Sequence, residues 1–392
     1  MMNKKIPVTV LSGYLGAGKT SVLNHLLHNK QGYKIAVVVN DMSEINIDSA
    51  MVKQGGLIRS DEKLVELQNG CICCTLREDL IVELDQLSTL ELDYVLIEST
   101  GISEPIPVAQ TFTYEADELD IDLRQHYKLD SMVTVVNAAQ FWEDYYSGEN
   151  LLDRQQEAVP GDEREVADLL IDQIEFANVI LINKIDLIPK EELQKLIATI
   201  AKFNPTARIL PTEHGKVDPG SVLNTSLFDF EEASSSAGWI KELNEEHIPE
   251  TEEYGIQSFV YRMNKPFHPE RFFQWLEKWP QEVVRSKGFF WLASRNDAIG
   301  LLSQAGKSLS VQGAGNWVAT FSKAEQDELL QEDLATKEAW HPQYGDRKTE
   351  LVFIGMKLNQ IDLIESLNQC VLTEKEMAED WAMLPDPFPP FL

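Results

Sequence analysis

The run Gly13-Tyr14-Leu15-Gly16-Ala17-Gly18-Lys19-Thr20 has the residue types and spacing to hold a phosphate chain. It fits the pattern G-x-x-x-x-G-K-[ST]. Glycines let successive backbone N–H groups curl around phosphate oxygens, and the N-terminal end of a following helix adds the positive end of its dipole. Lys19 reaches the β/γ-phosphates and the Thr20 hydroxyl can ligate Mg²⁺. Gly13, Gly16, Ala17, Gly18, Lys19, Thr20 and Ser21 are therefore the expected phosphate contacts. Further on, Asn183-Lys184-Ile185-Asp186 follows a short apolar run. A carboxylate at Asp186 can accept from the N1 and N2 donors of guanine, which adenine does not offer, so Asn183, Lys184 and Asp186 are read as a guanine site. Glu98-Ser99-Thr100-Gly101 ends another apolar run. A carboxylate there suits a Mg²⁺-linked water, and Gly101 lets the backbone approach a γ-phosphate.

Cys71, Cys73 and Cys74 place three thiols within four residues. As thiolates they can ligate a soft or borderline metal, leaving one position for Asp, Glu, His or water. In an extended stretch Cys71 and Cys73 share a face and Cys74 points away, so a tight turn is needed to gather them. Buried structural thiols or a redox dithiol are the other readings. Asp41 and Glu44 follow the run Ile35–Val39 and are candidates for an additional ligand or for orienting a hydrolytic water. Other signals are weaker. His25 and His28 read as a helix face, Cys370 as core, and Trp275, Trp279, Phe272 and Phe273 as an aromatic core stripe. His214 follows Arg208–Leu210 and is a candidate contact to a base.

The elements that must position these residues alternate. Compact β-rich runs at Ile6–Leu11, Ile35–Val39, Tyr94–Glu98, Met132–Val136 and Val179–Ile182 read as strands buried on both faces of a parallel sheet. Arg208–Leu210 reads as a weaker strand, and Arg77–Leu87 and Glu165–Phe176 as helices. The expected fold of residues 1–220 is a doubly wound α/β domain with its ligands at the carboxyl ends of the strands. Residues 221–255, rich in Glu and Ser, read as an acidic linker. Residues 256–372 read as a smaller α+β domain. Its expected strands are Ile256–Arg262, Phe289–Ala293, Trp317–Phe321 and Leu351–Met356, with helices at Pro269–Trp279 and Ile361–Gln369. Residues 373–392, rich in proline, read as an irregular tail.

The 392 residues carry a formal charge of −30 and are 43% hydrophobic. So acidic a surface repels nucleic acid and anionic lipid, so neither is an expected partner. No apolar run approaches the roughly 18 residues of a membrane span. The N-terminal residues enter the first strand without a signal-peptide core, and a cytoplasmic protein is expected.

Together these motifs resemble the CobW family of GTPase metallochaperones. The match rests on the Gly13–Thr20 loop, Asn69-Gly70-Cys71-Ile72-Cys73-Cys74-Thr75-Leu76-Arg77, Glu98-Ser99-Thr100-Gly101-Ile102-Ser103-Glu104-Pro105 and Asn183-Lys184-Ile185-Asp186. The segment Val39–Asp48 is most similar to the YciC-type branch, linked to zinc homeostasis. The resemblance implies a P-loop G domain of the signal-recognition and MinD-like class and a CobW C-terminal domain. It implies GTP/GDP, Mg²⁺ and Zn²⁺ as ligands, a metal-requiring client apoprotein as partner, and a nucleotide-dependent homodimer. Cobalt or nickel delivery, and a low-turnover GTP-binding metal sensor or scaffold, are the alternatives. There are departures. Asn40-Asp41-Met42-Ser43-Glu44 replaces the Asn-Glu-Phe-Gly-Glu of many members, Asn137 replaces an Asp, and no His-rich loop precedes the second domain.

Overall fold

Strands covered on both faces need apolar residues at consecutive positions, and residues of this chain divide between two cores by alternation. The computed structural model describes residues 5–29, 32–40, 64–67, 76–113, 121–156, 162–235, 237, 240, 243 and 255–391. By contacts the chain forms two units, Met1–Gly238 and Trp239–Leu392. In unit 1, Val8, Val10, Val95 and Ile97 pack one face of a sheet with Leu80, Leu84, Val108 and Phe112. Leu11, Leu96, Val133 and Val135 pack the other face with Val22, Leu23 and Leu26. The covering helices are Leu76–Ser88 and Pro105–Thr113 on the first face and Lys19–His28 on the second.

The strands are β1 (Ile6–Ser12), β2 (Ile35–Asn40), β3 (Leu64–Leu67), β4 (Tyr94–Glu98), β5 (Tyr127–Asn137), β6 (Val179–Asn183) and β7 (Arg208–Pro211). They run parallel in the order β3-β2-β4-β1-β5-β6-β7. The loop after the central β1 therefore opens at the carboxyl edge, with β4 on one side and β5 on the other.

Beyond β7 the chain stays on unit 1. Val217, Val222 and Leu223 enter the core on the Lys19–His28 side. The ring of His25 meets the Val217 carbonyl at 2.9 Å, while His28 is exposed. The buried Asp130 carboxylate then accepts from Tyr94 Oη at 2.6 Å, Ser226 N at 2.7 Å and Thr225 N at 3.0 Å. The Asp130 carbonyl accepts from the Leu227 and Phe228 amides. Thr9, in the middle of β1, bonds Tyr94 Oη and donates to the Val222 carbonyl. Burial, with the Asp130 charge behind it, pushes the Tyr94 phenol well above its ordinary range. Residues 212–228 thus form a strap bonded to the underside of the sheet, and the helix Phe230–Ser235 follows.

Unit 2 is an antiparallel sheet of β8 (Ile256–Met263), β9 (Val283–Phe290), β10 (Ala298–Ala305), β11 (Ser308–Asn316) and β12 (Thr349–Met356) in the order β11-β10-β9-β12-β8. Phe272, Leu276, Leu363 and Leu367 of the helices Pro269–Leu276 and Gln360–Asn368 share its core with Phe259, Phe290 and Phe353. Cys370, just past the second helix, is core, and burial pushes its thiol up to about 11. Trp317–Phe321, expected as a strand, is a 3₁₀ turn over Val318–Thr320. The Asp346 carboxylate takes the Val318 and Ala319 amides that a ladder would need. The β10–β11 hairpin escaped the sequence because β11 is Ser-, Gln- and Gly-rich, with little apolar alternation. The tail is held by Arg295, which bonds the Asp386 carboxylate and the Phe388 carbonyl. No helix among the described residues is long and apolar enough to cross a membrane.

Arg271 donates twice to Glu376, at 2.8 Å to each oxygen, and holds that carboxyl down to about 2. A lowered carboxyl contributes stability above its unfolded value near 4.3, and this is lost as pH falls toward the folded value. Glu376→Gln should therefore lower the stability of unit 2 by about 1–2 kcal/mol at pH 6, allowing for solvent screening of this partly open pair. Urea unfolding followed by tryptophan fluorescence should show the gap between variant and parent closing from pH 4 to pH 2. A gap independent of pH would assign the loss to packing.

Candidate functional site

The phosphate loop begins where β1 ends. Gly13 has φ +131°, and a Cβ there would overlap the Val135 carbonyl of β5. Gly18 has φ +104°, and a Cβ there would overlap the Asn183 side-chain amide. Only glycine fits either place. The helix Lys19–His28 starts at once, with no side chain capping its N-terminus and no acidic residue in its first turn. Its leading N–H groups and dipole point into the loop, which is the arrangement that receives an anion. Ala17 is buried and donates its amide to the Tyr14 carbonyl at 3.2 Å, while Gly16 and Ser21 are exposed.

Lys19 is buried, and its ammonium bonds the Gly13 and Tyr14 carbonyls at 2.8 and 3.4 Å. The loop thus wraps around its own lysine. Thr20 Oγ1 donates to Glu98 Oε1 at 3.0 Å. Glu98 sits at the tip of β4, 1% exposed, in register with Leu11 of β1 and Val39 of β2. A hydroxyl beside a carboxylate at the mouth of the loop is a hard-oxygen donor pair of the type Mg²⁺ takes. Gly101 follows, and a Cβ on it would stand 2.6 Å from the Leu15 side chain, so this backbone lies against the phosphate loop.

Asn183 ends β6, 2% exposed. Its amide donates to the Ala17 carbonyl at 3.0 Å, and its oxygen accepts from Gly215 N at 3.0 Å and Thr212 Oγ1 at 3.2 Å. One side chain thereby ties the phosphate loop to the Asn183–Asp186 loop and to Thr212–Gly215. Lys184 takes a left-handed φ of 63° and turns the chain into a 3₁₀ turn, Ile185–Leu187, that leaves Asp186 exposed. His214 is exposed in the neighbouring loop, also left-handed at φ 53°.

Asp41, Glu44, Cys71, Cys73 and Cys74 lie outside the described residues. The chain leaves β2 after Asn40 and β3 after Leu67, which are paired neighbours at the carboxyl edge. Residues outside the expected ligand contacts also serve the site. Gln173 donates to the Gly101 and Ser103 carbonyls at 3.2 Å each. Asn137 donates to Gln140 at 2.6 Å, and Gln140 approaches Gly16. Tyr14 Oη donates to Gln156 at 2.5 Å, and burial raises its phenol. Only the Asn137–Gln140 pair is local enough to be suspected beforehand; the partners of Gln173 and Tyr14 are far away in the chain.

Residues 7–211 match the family described as CobW/HypB/UreG, nucleotide-binding domain, and residues 256–371 match the Cobalamin synthesis protein cobW C-terminal domain. A zinc-regulated GTPase metalloprotein activator 1 of Dictyostelium discoideum is 46% identical over 388 residues, covering 95% of this chain and 81% of that protein. A zinc chaperone CobW of Sinorhizobium sp is 30% identical, covering 73% of this chain and 81% of its own length. A zinc chaperone YjiA of Escherichia coli is 30% identical, covering 73% and 82%.

Proposed function

The chain belongs to the CobW/HypB/UreG family, and from that premise we propose that it is a Mg²⁺-dependent GTPase that takes up Zn²⁺ at Cys71, Cys73 and Cys74 and delivers it to client apoproteins. The observation that carries the reading is the Asn183 side chain, which joins a phosphate loop to a guanine-type loop at one sheet edge. The zinc names of the relatives support the cargo. The thiolates suit zinc chemically, and Glu44 is a candidate fourth ligand.

Lys19 and the amides of Gly16–Thr20 hold the phosphates and offset their charge. Thr20 and Glu98 would hold Mg²⁺, which when bound neutralises charge on the β- and γ-oxygens. Gly101 brings its backbone to the γ-phosphate end. Asp41 is the candidate to orient the attacking water. Asn183 braces the base loop, and Lys184 and Asp186 meet the guanine. β2 and β3 lead to the Asp41–Glu44 and cysteine segments from adjacent strand ends, which supports a link between metal and nucleotide.

Phosphate release measured with GTP and with ATP tests the nucleotide. Zinc affinity from chelator competition with GDP, with a non-hydrolysable GTP analogue and with neither tests the coupling. We expect affinities that differ by roughly 5- to 150-fold between states. Cys73→Ser should lose most zinc affinity in all of them. Equal affinities in the three states would favour a sensor or scaffold.

A further inference from the structure

Two short arms of unit 1, Glu149–Gln156 and Asp162–Val166, run beside each other. Asn150 and Glu165 form an antiparallel bridge, with Leu151 N on the Arg164 carbonyl at 2.9 Å and Val166 N on the Glu149 carbonyl at 3.1 Å. The first arm reaches the phosphate loop. Arg154 Nη1 donates to Tyr14 Oη at 3.2 Å, and Gln156 accepts from the same hydroxyl. Arg154 is itself fixed by Asp144 at 2.7 Å and Glu149 at 2.8 Å. The second arm reaches the loop after Glu98, where Arg164 donates to Glu104 at 2.9 Å and is braced by Asp162 at 2.7 Å. Tyr14 is also the residue whose carbonyl, with that of Gly13, seats the Lys19 ammonium.

The geometry points to the paired arms as a positioning element for hydrolysis, in which Arg154 and Arg164 set the phosphate loop and the Glu98–Glu104 loop against each other. This rests on the GTPase reading above. GDP occupies the phosphate loop without needing that spacing, because the Glu98–Glu104 loop meets the γ-phosphate end. The transition state needs both loops at once, and small misplacements there are costly. Loosening either arm should therefore lower kcat and leave GDP binding nearly unchanged. The hydroxyl of Tyr14 is the point of contact that can be removed alone, without disturbing the glycines or Lys19.

The test uses the full chain with Tyr14→Phe, Glu104→Gln, the double variant and Glu163→Gln as an exposed control on the second arm. We expect kcat to fall about 3- to 10-fold in each single variant, as for the two hydrogen bonds lost with the Tyr14 hydroxyl or the charge lost from the Arg164–Glu104 pair. GDP affinity should stay within about twofold, and the double variant should fall little further than the worse single, because both act through the same arms. Hydrogen exchange without nucleotide gives a second readout, in which Tyr14→Phe should speed exchange of amides 99–104. The control should match the parent in both. Unchanged kcat with unchanged exchange would overturn the proposal, as would strictly additive losses or a matching loss of GDP affinity. A parent chain that shows the exchange coupling but no GTP turnover would instead overturn the GTPase reading.

Discussion

Lys19→Ala should lower GTP turnover by about 100- to 1,000-fold, the usual effect of removing one preorganised charge from a transition state. The ammonium is held at the loop by the Gly13 and Tyr14 carbonyls, and in the proposed function it is the charge that faces the phosphates. The same two bonds complicate the simple expectation that this lysine serves phosphate alone. It is 8% exposed, and alanine deprives two carbonyls of a charged donor, at about 1–3 kcal/mol. A melting curve by circular dichroism should thus show a lowered but cooperative transition, and phosphate release should be compared well below it. Normal turnover in the folded variant would remove the phosphate assignment.

Asp186→Asn should weaken GTP by about 100-fold or more and favour xanthine nucleotides. In the proposed function the carboxylate accepts from two guanine donors. An amide offers a donor where guanine also donates, leaving polar groups unpaired, and xanthine reverses that mismatch. Asp186 is exposed on its 3₁₀ turn, so the substitution should leave stability unchanged. Asn183 would be a poor choice for the same experiment, because its buried amide also holds Ala17 and Gly215. Competition of GTP, XTP and ATP against a fluorescent guanine nucleotide measures the switch. Equal loss for all three would mean that Asp186 supports the loop and does not read the base.

What could be read in the sequence followed from local physics. β1, β2, β4, β6 and the second half of β5 stood out because their apolar runs are unbroken, whereas the edge strand β7 gave only a weak signal and the four-residue β3, Leu64–Leu67, was not expected. The Gly13–Thr20 loop stood out because Gly13 and Gly18 have no room for a side chain. Trp317–Phe321 looked like a strand because aromatic and β-branched residues cluster there, and the deciding group, Asp346, lies far along the chain. The bond from Asn183 to Ala17 spans 166 positions and that from Tyr14 to Gln156 spans 142, beyond the reach of any periodicity. A stretch rich in Ser and Glu looked like linker from residue 221, yet its bonds to Asp130 are made by backbone amides that no side-chain pattern reports.

Those amides decide where the gene can be divided. A fragment stopped at Pro211, where β7 and the family match both end, would strip Asp130 of the Thr225 and Ser226 donors and Thr9 of the Val222 carbonyl. Tyr94 would remain on the carboxylate, but each lost donor to a buried acceptor costs about 1–3 kcal/mol, a sizeable share of what holds a domain together. It would also remove Thr212 and Gly215, which brace Asn183, so the surviving piece would keep its base loop held only through Ala17. A nucleotide-binding fragment of this chain is therefore expected to need residues past Phe228, whose amide bonds Asp130, through Phe230 and Ala233, which pack on the same core. Expression trials, domain fusions and hybrid proteins built from relatives should be joined beyond Ala233.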